Sequence, residues 1–400
     1  MDHNEERALA PIEEKKPPMG YWARVSHAYA AVFHALIFVL PLFVIVFMAI
    51  CAQAFTRNSV FGFGNDLLSV SSFLSSDYNT VYFPFEEGER TVLTYRDGVA
   101  AVTPSGIKVY SPDGERLLSK EMAFGAPRAV ASAKYLVAYD FGSTSFAVTN
   151  GYSVLFEGQT EHPILDAAVA DTGHFALITA AQTHLSQVLL YDANFNLIQR
   201  FSRSSATTDV ALSSNGKYVA FCGIATENGT VQSVAELYRI GAKEPSFSIR
   251  KDEVALAISF TDTRHLMLIT PAAGYLLDLD GEQLERIDFG GTLLASYRVN
   301  GNGCVFLLDS DTVHAKSRVL ACDKRGSLLY EKELDVDLSA VTMDGRYVYM
   351  LGDGVLLRAS LNSDRVDELV VSAGAEGILL SDEGQLRLLY AGAAEFVEFD

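Results

Sequence analysis

The sequence predicts an all-β, eight-bladed β-propeller carried behind one N-terminal transmembrane helix. Three observations lead there. An apolar segment free of formal charge lies near the N-terminus, two interleaved series of turn signals repeat every roughly 40 residues, and the strand count balances only if the two ends of the folded part share one sheet.

The apolar segment, Ala28 to Gln53, reads AYAAVFHALIFVLPLFVIVFMAICAQ and contains no Asp, Glu, Lys or Arg. About 25 residues at about 1.5 Å each reach roughly 37 Å, enough to cross a hydrocarbon core of about 30 Å. Backbone groups in lipid must satisfy one another, so a single helix is expected, kinked at Pro41. Tyr21, Trp22 and Tyr29 suit the headgroup layer, and His34 reads as an interfacial residue. Lys15, Lys16 and Arg24 precede the helix while only Arg57 closely follows it, which places the N-terminus in the cytoplasm and the remainder outside the cell. The expected organisation is a cytoplasmic tail (1–24), a membrane anchor (25–55), a linker rich in Ser, Gly and Asn (56–78) and a propeller (79–400). A cleaved secretory signal is the rival reading, since Ala52-Gln53-Ala54 fits a small-x-small site. Its apolar region would be longer than the usual run of about 7 to 15 residues. Lipidation at Cys51 is disfavoured by the bulky Ile50 before it.

Beyond the linker, short runs of Val, Leu, Ile, Ala, Phe and Tyr alternate with turn residues, and none keeps a helical period over a long stretch. One series of turns runs through Asp97-Gly98, Ala133-Lys134, Thr172-Gly173, Asn215-Gly216, Asp262-Thr263, Asn302-Gly303, Asp344-Gly345 and Glu383-Gly384. Asn-Gly and Asp-Gly pairs tolerate positive φ and close tight hairpins. A second series falls between these, at Asp113-Gly114, Asn150-Gly151, Asn194 to Asn196, Ile240-Gly241, Asp280-Gly281, Arg325-Gly326 and Ser363-Asp364. Each repeat therefore reads as an apolar inner strand, a turn, a second strand, a loop, an alternating third strand, a turn and a polar outer strand. Such a unit cannot cover its own apolar faces, and a ring of units covers both. Eight turns in the first series against seven in the second leave the last blade without an outer strand. The segment 79–86 (NTVYFPFE) is the unassigned strand that can supply it. Seven blades would result only if the weakest repeat, near Tyr135 to Gln159, were not a blade.

With these residues laid out, the chain resembles a family of bacterial membrane-anchored β-propellers known as a domain of unknown function in anaerobic Gram-positive bacteria. The matching segments are FPFE at Phe83, YRDG at Tyr95, VYSPDG at Val109, AYDFGSTSF at Ala138, DVALSSNGKYVAF at Asp209 and ENGTVQS at Glu227. Where the family shows paired glycines after Tyr-Asp, this chain has Gly142-Ser143. The resemblance implies the fold and the anchor, and it supplies no activity.

A formal net charge of −19 and the absence of basic runs argue against nucleic-acid binding. There is no GxSxG elbow, no GxxxxGK phosphate loop, and no HxH, HxxxH or HExxH spacing among the eight histidines. No catalytic residue, metal ligand or cofactor is indicated, and the single Trp22 excludes repeated Trp docking motifs. Carboxylates such as Asp113, Asp280 and Asp344 read as turn braces, and the Tyr residues of the LYD and VYS strands as packing. Cys304 and Cys322 could face each other on one hairpin; free buried thiols are the expectation. Three longer polar loops between second and third strands are the candidate partner-binding elements. They carry Gln182, Thr183 and His184; Glu227 and Asn228; and Asp311 and His314. The expected function is a non-enzymatic scaffold in the cell envelope that binds an envelope protein or an extracellular ligand. The alternative is a carbohydrate-active hydrolase or lyase with paired carboxylates in the central channel.

Overall fold

The computed structural model describes residues 82–227, 229–311 and 316–399, and all regular structure there is β. The strands form eight four-stranded antiparallel sheets. Seven of these consist of four consecutive strands. The eighth takes Gly377–Leu380, Leu386–Leu389 and Ala393–Val397 and is completed by Tyr82–Pro84 from the other end of the fold, with Phe83 opposite Ala394. The first strand of every sheet packs on the first strand of the next, and that of the eighth packs on Thr91–Tyr95 of the first, so the sheets make a closed ring. The weakest repeat is a complete blade, Pro127–Ala131, Leu136–Asp140, Ser145–Thr149 and Val154–Gln159, and the count is eight. The anticipated tail, anchor and linker lie outside the described residues. No helix among the described residues is long and apolar enough to cross a membrane.

Alternation within each blade carries the two apolar faces that pack between neighbouring sheets. Between blades 2 and 3, Phe175 stacks on Tyr191 at 4.5 Å and Phe146 leans on Phe175 at 5.8 Å. Tyr191 of the LYD strand is thus packing, as its sequence suggests. The burial gradient departs from the expected one. Second strands are the most buried, with Gly98–Thr103, Leu136–Asp140 and Phe175–Thr179 buried throughout. The innermost strand Leu293–Asn300 has no fully buried residue. The inner strands of a ring this wide border an open axial channel, so burial peaks one strand further out.

Two faces follow from the strand order. Hairpin turns between first and second and between third and fourth strands form a turn face. Blade-to-blade connections and the loops between second and third strands form the opposite loop face. The turn chemistry corrects two sequence assignments. In the first blade the central turn residues are Arg96 (φ 49°) and Asp97 (φ 58°), not Asp97-Gly98. Gly98 is required for a different reason, because a Cβ there would lie 2.0 Å from the Tyr110 carbonyl oxygen. Asp344 does brace its turn, accepting the N–H groups of Arg346 and Tyr347, each at 2.6 Å. Asp280 does not. Asp278, at the head of that turn, accepts from Asp280 (2.9 Å) and Glu282 (2.8 Å), because only the first turn residue can reach both donors. Asp192 and Asp323 do the same in blades 3 and 6. Asp113 instead receives the Ser111 hydroxyl.

Candidate functional site

The axial channel opens at the turn face into a cavity of about 580 Å³ bounded by the inner strands of blades 1, 2, 6, 7 and 8, with Arg96, Asp97, Arg298, Asn300 and Asp382 at its wall. Burial raises the Asp382 carboxyl, and the charges of Asp97 and Asp171 raise it further. Among the described residues, no three His, Cys, Asp or Glu side chains are grouped so as to hold a metal ion.

On the other side of the channel wall the sequence builds a carboxyl pair. The inner strands of blades 3 and 4, Ile164–Val169 and Ala206–Leu212, each carry a β-bulge, between Ile164 and Asp166 and between Thr207 and Asp209. A bulge re-aims the side chain that follows it, and in both blades that residue is Asp. Asp166 accepts the Tyr139 hydroxyl of blade 2 at 3.2 Å. Asp209 accepts Val210 N–H at 2.9 Å and, from the inner strand of blade 5, Ile258 N–H at 2.7 Å. Burial raises both above the usual carboxylate range, and the Asp166 charge pushes Asp209 further up. Burial and then the Asp209 charge push the Tyr297 phenol, on the inner strand of blade 6, up to about 12.

The predicted loop residues share the loop face without meeting in one site. Gln182, Thr183 and His184 are exposed between Phe175–Thr179 and Ser186–Tyr191 of blade 3. Glu227 ends Tyr218–Glu227 in blade 4 and Asp311 ends Gly303–Asp311 in blade 6, while Asn228 and His314 lie outside the described residues. Blade 4 differs from its neighbours in shape. Its hairpin pairs run on through Ala225↔Gln232, Thr226↔Val231 and Glu227↔Thr230, past Ala206 on one side and Lys251 on the other. Three further pairs carry it about 10 Å beyond the sheet. Exposed apolar side chains gather on the same face, with Val231 on that hairpin, Phe141 and Leu185 on loops of blades 2 and 3, and Leu256 and Leu293 where blades 5 and 6 begin. Sequence reading missed the Asp166–Asp209 pair. Its signal was present as an Asp recurring at one position of consecutive repeats, LDAAV at Leu165 and TDVAL at Thr208.

The comparisons agree with this architecture. The chain belongs to the family of unknown function DUF5711, whose match covers residues 78–365, most of the propeller. Among curated proteins, none matches in sequence. Sqt1 of Saccharomyces cerevisiae is similar in fold at a TM-score of 0.56 and 11% identity, covering 81% of this chain and all of that one. A eukaryotic initiation factor is similar at 0.53 and 14%, covering 82% and 92%. BamB from Moraxella catarrhalis is similar at 0.51 and 12%, covering 80% and 100%. At such identities the likeness is one of fold, and propellers commonly serve as protein-binding scaffolds.

Proposed function

We propose that this DUF5711 propeller is a membrane-tethered, non-enzymatic scaffold that presents its loop face to a protein partner in the cell envelope. The observation that carries the reading is the asymmetry of the two faces. The turn face consists largely of short Asp, Asn and Gly turns braced on themselves, whereas the loop face carries a protruding hairpin with Val231 exposed on it. Rigid scaffolds with exposed apolar groups on mobile or projecting loops are suited to partner binding. The tether follows from the apolar segment Ala28 to Gln53.

Photocrosslinking from Val231 in cells tests the reading. A specific adduct with the native chain is expected, lost when Leu185 and Leu293 are both changed to Glu and kept when the turn-face residue Leu328 is changed to Glu. An adduct pattern unaffected by the loop-face changes, with the variant folded, overturns it.

A further inference from the structure

The cavity at the turn-face end of the channel holds two opposite charges that its own walls leave unmatched. Most other polar groups there are committed to bonds between blades. Arg96 of blade 1 donates to the Lys134 carbonyl of blade 2 at 3.1 Å and lies over the Tyr95 and Tyr152 rings. Asn300 of blade 6 donates to the Met343 carbonyl of blade 7 at 2.8 Å and accepts Asn302 N–H at 2.9 Å. Thr91 donates to the Pro127 carbonyl at 3.1 Å, and Asp97 accepts Glu383 N–H at 3.3 Å. Arg298, on the inner strand of blade 6, and Asp382, in the first turn of blade 8, line the same cavity. Among the described residues neither has a hydrogen-bond or ion-pair partner, and they form no ion pair with each other.

We propose that this cavity binds a short peptide, with its terminal carboxylate on the Arg298 guanidinium and its terminal ammonium on Asp382. A guanidinium offers a carboxylate two parallel N–H donors, and an ammonium offers three donors to a carboxylate. A simple anion would leave Asp382 unmatched and a simple cation would leave Arg298 so; only a ligand bearing both charges answers both. Length follows from the ring. The inner strand of blade 7, Leu338–Met343, runs between those of blades 6 and 8, and packed sheets lie about 10 Å apart. Three residues at about 3.3 to 3.6 Å each reach that far. The hydroxyls of Thr94 and Thr342 line the same space without a partner among the described residues, and they can serve the amides of such a chain. A volume of about 580 Å³ suits a ligand of this size.

Electrostatics favour a cation at the Asp382 end. Burial raises the Asp382 carboxyl, and the neighbouring charges of Asp97 and Asp171 raise it further. Both neighbours are held by backbone donors, Asp97 by Glu383 N–H and Asp171 by Ala133 N–H at 2.8 Å. An ammonium beside Asp382 relieves that repulsion. The cavity opens at the turn face, so peptide binding there neither requires nor prevents a protein partner on the loop face.

Isothermal titration of the full-length chain in mild detergent tests the assignment, with trialanine as the probe beside N-acetyl-trialanine and trialanine amide. Native protein is expected to bind trialanine saturably and each blocked peptide about ten-fold or more weakly, the loss of one charge-assisted contact. Arg298→Gln is expected to weaken trialanine about ten-fold and to abolish the penalty for amidation, and Asp382→Asn to abolish the penalty for acetylation. Neither side chain is bonded within the fold, so both variants should melt as the native protein does. Arg264→Gln, an exposed change outside the cavity, should keep native affinity. The blocked peptides probe the same two charges in the native chain and so do not depend on any variant folding. No saturable binding of trialanine up to about 10 mM, equal affinity for free and blocked peptides, or unchanged affinity in both folded variants overturns the inference.

Discussion

Ring closure depends on a strand of three residues, which makes Phe83 the most informative single perturbation. Tyr82–Pro84 contributes one ladder to the eighth blade, and little else holds it except what Phe83, Pro84 and Phe85 touch. Phe83 is fully buried and packs with Phe85, Val99, Ala101, Tyr110, Leu379 and Ala394. The Tyr110 ring meets it edge-on at 6.0 Å, and the same Tyr110 donates its hydroxyl to the Pro84 carbonyl at 2.7 Å. On its other face lies the guanidinium of Arg387, 5.1 Å from the ring centre and itself fully buried. Truncating a buried Phe to Ala costs about 3 to 5 kcal/mol. Removing the ring face from a desolvated guanidinium adds about 1 kcal/mol, so Phe83→Ala is expected to cost about 4 to 6 kcal/mol. Phe289→Ala is the matched control, equally buried and packed on Phe306 at 5.0 Å but remote from either end of the fold. Denaturant titration should show similar losses for both. Limited proteolysis in native buffer should separate them, with cleavage near residue 82 accelerated only in Phe83→Ala, because only that change frees the closing strand. A loss under about 1 kcal/mol for Phe83→Ala, or equal cleavage in the two variants, refutes the closure argument.

Three further outcomes follow from contacts already described. Asp278→Ala should cost about 1 kcal/mol by leaving two turn N–H groups without their acceptor, while Asp280→Ala should stay within about 0.5 kcal/mol, both read by denaturant unfolding. Gly98→Ala should destabilise by about 2 kcal/mol or more, since its Cβ would press on the Tyr110 carbonyl and neither backbone can yield without breaking the ladder; a neutral result in thermal melts argues against that register. Cys222, Cys304 and Cys322 are buried free thiols, Cys222 raised by burial and Cys304 raised by its hydrogen bond to Cys322 and by burial. Iodoacetamide at pH 8 should modify none of the three in the native fold and all of them in guanidinium, as followed by mass spectrometry.

The blades were legible because their two periodicities are separate signals. Alternation marks strands such as YLLDLD, and the turn residues return at nearly constant spacing, so neither depends on knowing the tertiary contacts. Counting then exposed the missing outer strand. Turn details were less legible because a dipeptide does not state which of its neighbours is central. Asp97-Gly98 looks like a turn pair, yet Gly98 is demanded by a carbonyl twelve residues on in Tyr110. Phe195, at φ 65°, is harder still. A bulky residue in that region is strained, and it is held there by stacking on Phe156 at 5.2 Å, a contact between third- and second-blade elements that no local pattern encodes. The carboxyl pair was missed for a related reason. Asp166 and Asp209 lie 43 positions apart in sequence, 209 minus 166, and only the bulges reveal that both are turned the same way.

These contacts divide the ring into arcs fastened by different physics. Blades 7, 8 and 1 are joined through carbon contacts around Phe83, Tyr349 and Leu388, with Arg90 bridging to Glu376 at 2.7 Å and Glu383 N–H reaching Asp97 at 3.3 Å. The half-exposed ion pair there is worth at most about 1 kcal/mol. Blade 2 is joined to blade 3 by the Tyr139 bond to Asp166, and blade 5 to blade 4 by the Ile258 bond to Asp209, as well as by packing. The first strand of the projecting hairpin Tyr218–Arg239 pairs directly with the strand carrying Asp209. The fold thus places its buried Asp209 at the base of a hairpin that projects from the loop face, while the closure that keeps the ring whole lies on the far side of the channel.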